Sequence, residues 1–239
     1  TQDSTVVSVD LTVLPTSATE LGYTVLSPKD INDTSIVDMI HGSGCDVIVH
    51  WGHNQLFSRK LLNASRLGVI NVHPGLLPYG RGSGAVYGEV LNDSSTIGWT
   101  VHLMSEKFDL GHEIDQLRVH LKGDEYLDEI HELLFQDVVD FYFSAIKKFL
   151  SNKKSSSMVG FGRYFPKKAI GDEIIDWNES SDYIFKKVRA RSPIIGSVTF
   201  STPAWDKVMV WRVEKSTVAE YIGACGQVID REKEKGILV

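Results

Sequence analysis

At 239 residues, with 42% hydrophobic and 23% charged positions, the chain has the size and composition of one soluble globular domain or of one domain with a small appendage. Its net charge of −6 is spread along the chain, and residues 1–20 contain no Lys or Arg, which excludes the basic stripe of a phosphate-backbone binder. No apolar run approaches the ~18 residues of a membrane span, and the start lacks the basic stretch and apolar core of a signal peptide, so a cytoplasmic protein is expected. Cys45 and Cys225 have no Cys or His neighbours at zinc-ligand spacing; no metal is expected, and both read as buried free thiols.

Thr5 to Leu14 carries β-branched alternation and predicts a strand, and Tyr23 to Leu26 predicts a second. Asp30 to Asp33 can open a helix with Ile36, Val37, Met39 and Ile40 on its apolar face and Gly42 or Gly44 as its stop. Asp46 to Trp51 is an apolar run of central-strand type. A short helix over Ser58 to Leu67 and a strand over Gly68 to His73 follow. Strands alternating with helices indicate a mostly parallel, Rossmann-like α/β sheet flanked by helices, in which ligands sit beyond the C-terminal strand ends. Trp51 and His73 fall at such ends.

Gly82 to Asn92 reads as a helix, Thr96 to Met104 and Glu113 to Leu121 as strands, and Tyr126 to Leu150 as one long amphipathic helix. The Lys and Ser run from Lys153 to Ser157 has linker composition, which divides the chain into a main Rossmann-like domain over 1–152 and a small C-terminal α+β extension over 153–239. The extension holds a helix from Ser180 to about Arg191, strand-like pieces up to Trp211, and an opening hairpin in Gly226 to Asp230 and Gly236 to Val239. A hairpin alone is marginal in water, so this tail is expected to pack on the body, pair with another chain, or be the stump of a barrel.

Two segments end β-like stretches with groups suited to acyl transfer: Asn71-Val72-His73-Pro74-Gly75-Leu76-Leu77-Pro78, and Thr100-Val101-His102-Leu103-Met104 with Asp109-Leu110-Gly111. Attack of an amine on a carbonyl builds an oxyanion and releases a proton, so a donor aimed at the oxygen and a base near the nitrogen are the minimum. Asn71 and His73 stand two apart on a strand and project to one face. Asn71 supplies an amide N–H, a donor whose loss typically costs about 2.7–4 kcal/mol in such sites. His73, with an ordinary pKa of ~6.5, suits proton transfer at neutral pH. Asp109 orients the imidazole, holds the amine, or takes its proton through water.

The Asn-x-His, Leu-Leu-Pro, Arg81-Gly82, Gly98-x-Thr-Val-His and Asp-x-Gly pattern, over about residues 21 to 150, resembles the folate-dependent formyltransferases. The resemblance implies an enzyme whose catalytic residues are Asn71, His73 and Asp109, with N10-formyltetrahydrofolate as formyl donor and no metal. By the same resemblance Gln55, Leu56 and Phe57 cradle the folate, with Ser105, Glu106, Lys107 and Phe108 as the facing wall; plain core packing is the other reading of Phe57 and Phe108. Trp51, Tyr79, Arg81 and Arg163 are the residues expected at the acceptor, Arg163 on its phosphate. His50, His53 and His102 are extra histidines near the site, with His102 expected as a structural partner within its strand.

Ile175-Asp176-Trp177, Val188-Arg189-Ala190 and Pro193 resemble the connector of the branches acting on methionyl-tRNA and on nucleotide-linked amino sugars, and Phe161-Gly162-Arg163 is more like the amino-sugar branch. Trp177 is expected to be an interdomain packing anchor. The expected acceptor is therefore a nucleotide sugar, in O-antigen or glycan biosynthesis, with no membrane or nucleic-acid partner and with a homodimeric state. The alternatives left open are methionyl-tRNA formylation and a folate-binding fragment without catalysis. The family's usual first strand and glycine turn are not found before Ser4, so a start inside the fold or a shortened start is expected.

Overall fold

The computed structural model describes residues 5–7, 18–52, 55–152, 156–157, 162–167, 169, 171–194, 196–201, 206–216, 223–232 and 236–239. The expected first strand beyond Val7, His53, and residues 153–155 of the Lys and Ser run lie outside these. Contacts group the chain into two units: Thr1–His73 with Thr100–Gln116 and Tyr142–Phe161, and Pro74–Trp99 with Leu117–Phe141 and Gly162–Val239.

In the first unit β1 (Thr5–Val7) pairs in parallel with β2 (Thr24–Leu26). Helix α1 (Thr34–Gly42) begins where the Asp33 carboxylate accepts the Ser35 amide, which satisfies an otherwise orphaned donor. β3 (Ile48–Trp51) leads to α2 (Arg59–Leu62), whose cap is the Ser58 hydroxyl accepting the Leu61 amide. Helix was expected as far as Leu67. It stops at Leu62 because the Arg66 and Leu67 amides donate instead to the carbonyls of Cys45 and Asp46, at 3.4 and 2.8 Å. The core between these elements is Ile31, Val37, Phe57, Leu61, Ala64 and Val69.

All five residues of β4 (Val69–His73) are buried, as a strand covered on both faces requires. It runs parallel to β3, with His50 opposite Asn71, and antiparallel to β5 (Thr96–Leu103), with His102 opposite Asn71 and Thr100 opposite His73. β6 (His112–His120) and β7 (Ser156–Ser157) complete a sheet of order β3-β4-β5-β6-β7. The fold is thus α/β as expected, with parallel pairing in β1–β2 and β3–β4 and antiparallel pairing in β4–β5 and β6–β7. Ser156 and Ser157, which read as linker, pair with Glu113 and His112: ladder bonds use the backbone, which every residue carries.

The second unit holds α3 (Ala85–Leu91), α4 (Leu127–Phe135), the first residues of α5 (Val138–Asn152), and α6 (Ser181–Arg189), the last capped by the Ser180 hydroxyl accepting the Tyr183 amide. The single helix expected over Tyr126 to Leu150 is broken between α4 and α5. There the Leu134 carbonyl, whose helical partner would be the Val138 amide, accepts the Trp99 indole N–H at 2.8 Å. Leu134, Val138 and Trp99 are all essentially inaccessible, so the exchange is buried.

β8 (Ser197–Ser201) and β9 (Asp206–Val210) form an antiparallel pair, as do β10 (Asp230–Glu232) and β11 (Gly236–Leu238), where the first strand lies later than the Gly226 to Asp230 expected. Tyr126, Ile175, Ile184 and Val188 make the core of this region. Gly226 lies against the Trp177 ring so closely that an added Cβ would stand 2.8 Å from it, which packs the tail on that side chain. Trp177 also donates to the Thr199 hydroxyl at 2.7 Å. The cysteines depart from expectation: Cys45 is half-buried at the turn after α1, and Cys225 is exposed in a turn. Among the described residues no helix is long and apolar enough to cross a membrane.

Candidate active site

The register of β3, β4 and β5 sets His50, Asn71 and His102 side by side. The Asn71 carboxamide oxygen lies 2.7 Å from His50 Nδ1, and its nitrogen lies 3.1 Å from His102 Nε2. His102 Nδ1 in turn faces the Leu103 carbonyl at 3.1 Å. A carbonyl accepts only, so Nδ1 of His102 carries the hydrogen and Nε2 is the acceptor. The neighbouring Asn71 atom must then be the NH2, and its oxygen must accept from His50 Nδ1–H. One polarity runs through the whole chain of bonds.

His102, only 2% exposed, is held neutral: burial, and then the charge of His73, lower its pKa to about 4. It was expected to be a partner within its strand. It bonds directly to the amide that was expected to be catalytic, a contact that follows from register rather than from any local motif.

His73, two residues along β4, is 7% exposed, and its Nδ1 lies 3.4 Å from the Asp109 carboxylate. Asp109 sits in the left-handed region at φ 53, on a turn closed by Gly111. At Gly111 an added Cβ would lie 1.4 Å from the Leu103 carbonyl, so only glycine lets this loop pass the end of β5.

One cleft is lined by His50, Gln55, Leu56, Asn71, His102, Met104, Ser105, Lys107, Phe108 and Asp109. It therefore gathers two of the three residues expected to be catalytic, and the third pairs with Asp109. Gln55 and Leu56 line the cleft. The Gln55 side chain accepts the Ile31 amide at 3.1 Å, and the Asn32 side chain donates to the Leu56 carbonyl at 2.9 Å, so both are fixed from the turn before α1. Phe57 does not line the cleft. It is 5% exposed within the core and meets the His50 ring edge-on, 5.0 Å between centroids.

Ser105, Lys107 and Phe108 also line the cleft, and the Ser105 hydroxyl holds this segment by donating to the Leu110 carbonyl at 2.7 Å. Glu106 does not line the cleft; its carboxylate makes a bidentate pair with Arg59, at 2.7 and 3.1 Å.

The residues expected at the acceptor divide between the units. Trp51, half exposed at the end of β3, packs edge-on against Tyr142, 5.8 Å between centroids. In the second unit, exposed Tyr79 neighbours a bridge between Arg81 and Tyr164, where the Arg81 amide donates to the Arg163 carbonyl at 3.1 Å and the Phe165 amide to the Arg81 carbonyl at 2.7 Å. The Arg81 guanidinium lies over the Tyr164 ring, and Arg163 is exposed. Gly162 makes this pairing possible, since a Cβ there would meet the Pro78 carbonyl at 1.6 Å. Among the described residues no cluster of three or more His, Cys, Asp or Glu could hold a metal ion.

A buried amide donor, a neutral His beside it and a His–carboxylate pair on the same strand face form a set able to carry out acyl transfer. The chain belongs to the formyl transferase family: the Formyl transferase family model matches residues 9–146, more than half of the chain, and the model of the formyl transferase C-terminal domain matches residues 170–239. The chain is 24% identical over 220 residues to the methionyl-tRNA formyltransferase of Fusobacterium nucleatum subsp. nucleatum, covering 90% of this chain and 69% of that protein. It is 28% identical over 190 residues to that of Finegoldia magna, covering 76% of this chain and 59% of that protein. The fold is similar to a 4-N formyltransferase from Francisella tularensis (TM-score 0.68, 25% identity, 84% of each chain). It is also similar to a sugar N-formyltransferase from Shewanella sp FDAARGOS_354 (TM-score 0.67, 23% identity, 89% of this chain and 84% of that one). HypX from Aquifex aeolicus, solved in complex with tetrahydrofolic acid, shares the fold over 94% of this chain and 40% of that one (TM-score 0.64, 18% identity).

Proposed function

We propose that this protein transfers the formyl group of N10-formyltetrahydrofolate to the primary amine of a nucleotide-linked amino sugar. The observation that carries formyl transfer is the β4 face, where Asn71 and His73 are buried, with Asn71 and Asp109 lining one cleft and the Asp109 carboxylate 3.4 Å from His73 Nδ1. The cleft's lining suits a heteroaromatic donor, with Leu56, Met104 and Phe108 as apolar groups and Gln55, Ser105 and Asn71 as polar ones.

One Nδ2 hydrogen of Asn71 goes to His102, and the second serves the formyl oxygen as it gains negative charge. The Asp109 carboxylate beside Nδ1 of His73 favours the Nδ1–H tautomer and leaves Nε2 as the base. The acceptor nitrogen bonds to the formyl carbon and gives its proton to Nε2. The bond from that carbon to N10 then breaks, and N10 takes the proton from the imidazolium, which Asp109 stabilises while it exists.

The amino-sugar acceptor is supported by the net charge of −6, the absence of Lys and Arg in residues 1–20, and Arg163 exposed beside Tyr79 and Arg81 in the second unit. The Shewanella likeness agrees in fold. Methionyl-tRNA is the second reading, favoured by the names of the Fusobacterium and Finegoldia relatives. The domain division at residues 152 and 153, a homodimer and a cytoplasmic role in glycan biosynthesis belong to the same proposal; the two family matches, over 9–146 and 170–239, accord with that division.

The test is formylation of UDP-, GDP- and dTDP-amino sugars and of methionyl-tRNA at ~50 and ~200 mM salt, where a multi-phosphate binder loses ~10³-fold or more in affinity. Use of one amino-sugar class with mild salt dependence is expected. Steeply salt-sensitive use of methionyl-tRNA alone would move the acceptor to the second reading. Folate binding with no turnover of any amine would make the protein a folate-binding module.

A further inference from the structure

We propose that His50 is a positioning residue for formyl transfer, acting through Asn71, an inference that rests on the formyl-transfer reading of the cleft. His50 Nδ1 lies 2.7 Å from the Asn71 carboxamide oxygen, and the polarity fixed from the Leu103 carbonyl makes His50 the donor. The carboxamide can rotate by half a turn about its last bond. In the observed orientation it accepts from His50 and donates to His102; in the other, its oxygen would face the Nε2 lone pair and its NH2 would face the His50 N–H. Removing the His50 donor leaves one bond to hold the plane of the amide, and a rotated amide offers the substrate oxygen no hydrogen.

His50 is itself firmly placed. Its backbone is opposite Asn71 in the parallel register, its amide donates to the Tyr142 hydroxyl at 3.3 Å, and its ring rests on Phe57. The bond to Asn71 also polarises the carboxamide, so the Nδ2 hydrogens become better donors as charge develops on the formyl oxygen. His50 takes part in the reaction without touching the reacting atoms.

The experiment compares His50→Leu, which removes the donor, with His50→Asn, whose side-chain NH2 occupies the place of Nδ1. Thermal melts confirm that both fold, and kcat and KM for N10-formyltetrahydrofolate are measured with the amine that the native protein accepts. The expected result is a kcat lowered between ~10-fold and ~100-fold in His50→Leu, the scale of a misplaced catalytic group, with KM within about threefold of the native value. His50→Asn should recover most of the lost kcat. A native kcat in His50→Leu, a loss carried by KM alone, or a His50→Asn as impaired as His50→Leu would overturn the inference.

A second measurement uses no turnover: 15N NMR of the native protein should show the neutral His50 ring protonated at Nδ1, and a bare Nδ1 would overturn the inference whatever the variants do. Failure of the native protein to formylate any amine would instead sink the functional reading, and the NMR measurement separates the two.

Discussion

Lowering the pH from ~7 to ~5 should cost this protein about 2 kcal/mol of stability through His102 alone. Its folded pKa of about 4 lies below the ordinary 6.5, because burial and the charge of His73 both oppose a second proton. The unfolded chain therefore takes up that proton first. Stability from this group is present above ~6.5 and is lost as the pH falls through the window down to about 4. With those two values the unfolded state gains roughly a 30-fold advantage at ~pH 5 and almost none at ~pH 7. The structural reason is plain: a proton on Nε2 would point at the Asn71 NH2, donor against donor. The assay is urea unfolding of the native protein and of His102→Gln, which keeps an amide in place of the ring and does not titrate. Carboxylates elsewhere contribute equally to both, so the stability difference between the two proteins should shrink by about 2 kcal/mol from ~pH 7 to ~pH 5. A difference that stays constant across that range would refute the argument.

Asn71→Ala and His73→Ala should each lower kcat by about 100-fold or more with the fold intact, since under the proposed mechanism one removes the oxyanion donor and the other the base; steady-state kinetics at saturating acceptor checks both. Gly111→Ala should destabilise the protein or displace the Asp109 turn, because the new Cβ would meet the Leu103 carbonyl at 1.4 Å, and native melting and activity would contradict this. Trp99→Phe, which takes the indole N–H from the buried Leu134 carbonyl, should cost about 1–3 kcal/mol in chemical denaturation.

The parts of this fold legible in the sequence are those whose cause is local. β4 is announced by its own apolar run, and α1, α2 and α6 each begin beside a capping Asp or Ser that sits in the sequence where the helix needs it. The break between α4 and α5 has no such sign: neither Gly nor Pro marks it, and the group that takes the Leu134 carbonyl is an indole 35 residues away. Asn71, His73 and Asp109 were readable as a set because a motif carries them. The bond from His50 to Asn71 was not, since it depends on which residues two parallel strands place opposite each other, 21 positions apart. Phe57 follows the core-packing reading. Its neighbours Gln55 and Leu56 line the cleft, but an aromatic ring gains more by filling the space under His50 than by facing solvent.

Tyr142 sets the gauge of the site. Its hydroxyl stands 2.8 Å from both the His50 and the Ile70 carbonyls, so a single hydrogen is shared between two adjacent strands just where each delivers a residue to the cleft. Burial pushes that phenol above its ordinary pKa, so alkaline conditions that would ionise a surface tyrosine leave the clasp closed. The separation of His50 from Asn71 is therefore referenced to a helix rather than to the loops around the opening. Changes in those loops would leave the spacing of His50 and Asn71 as it is.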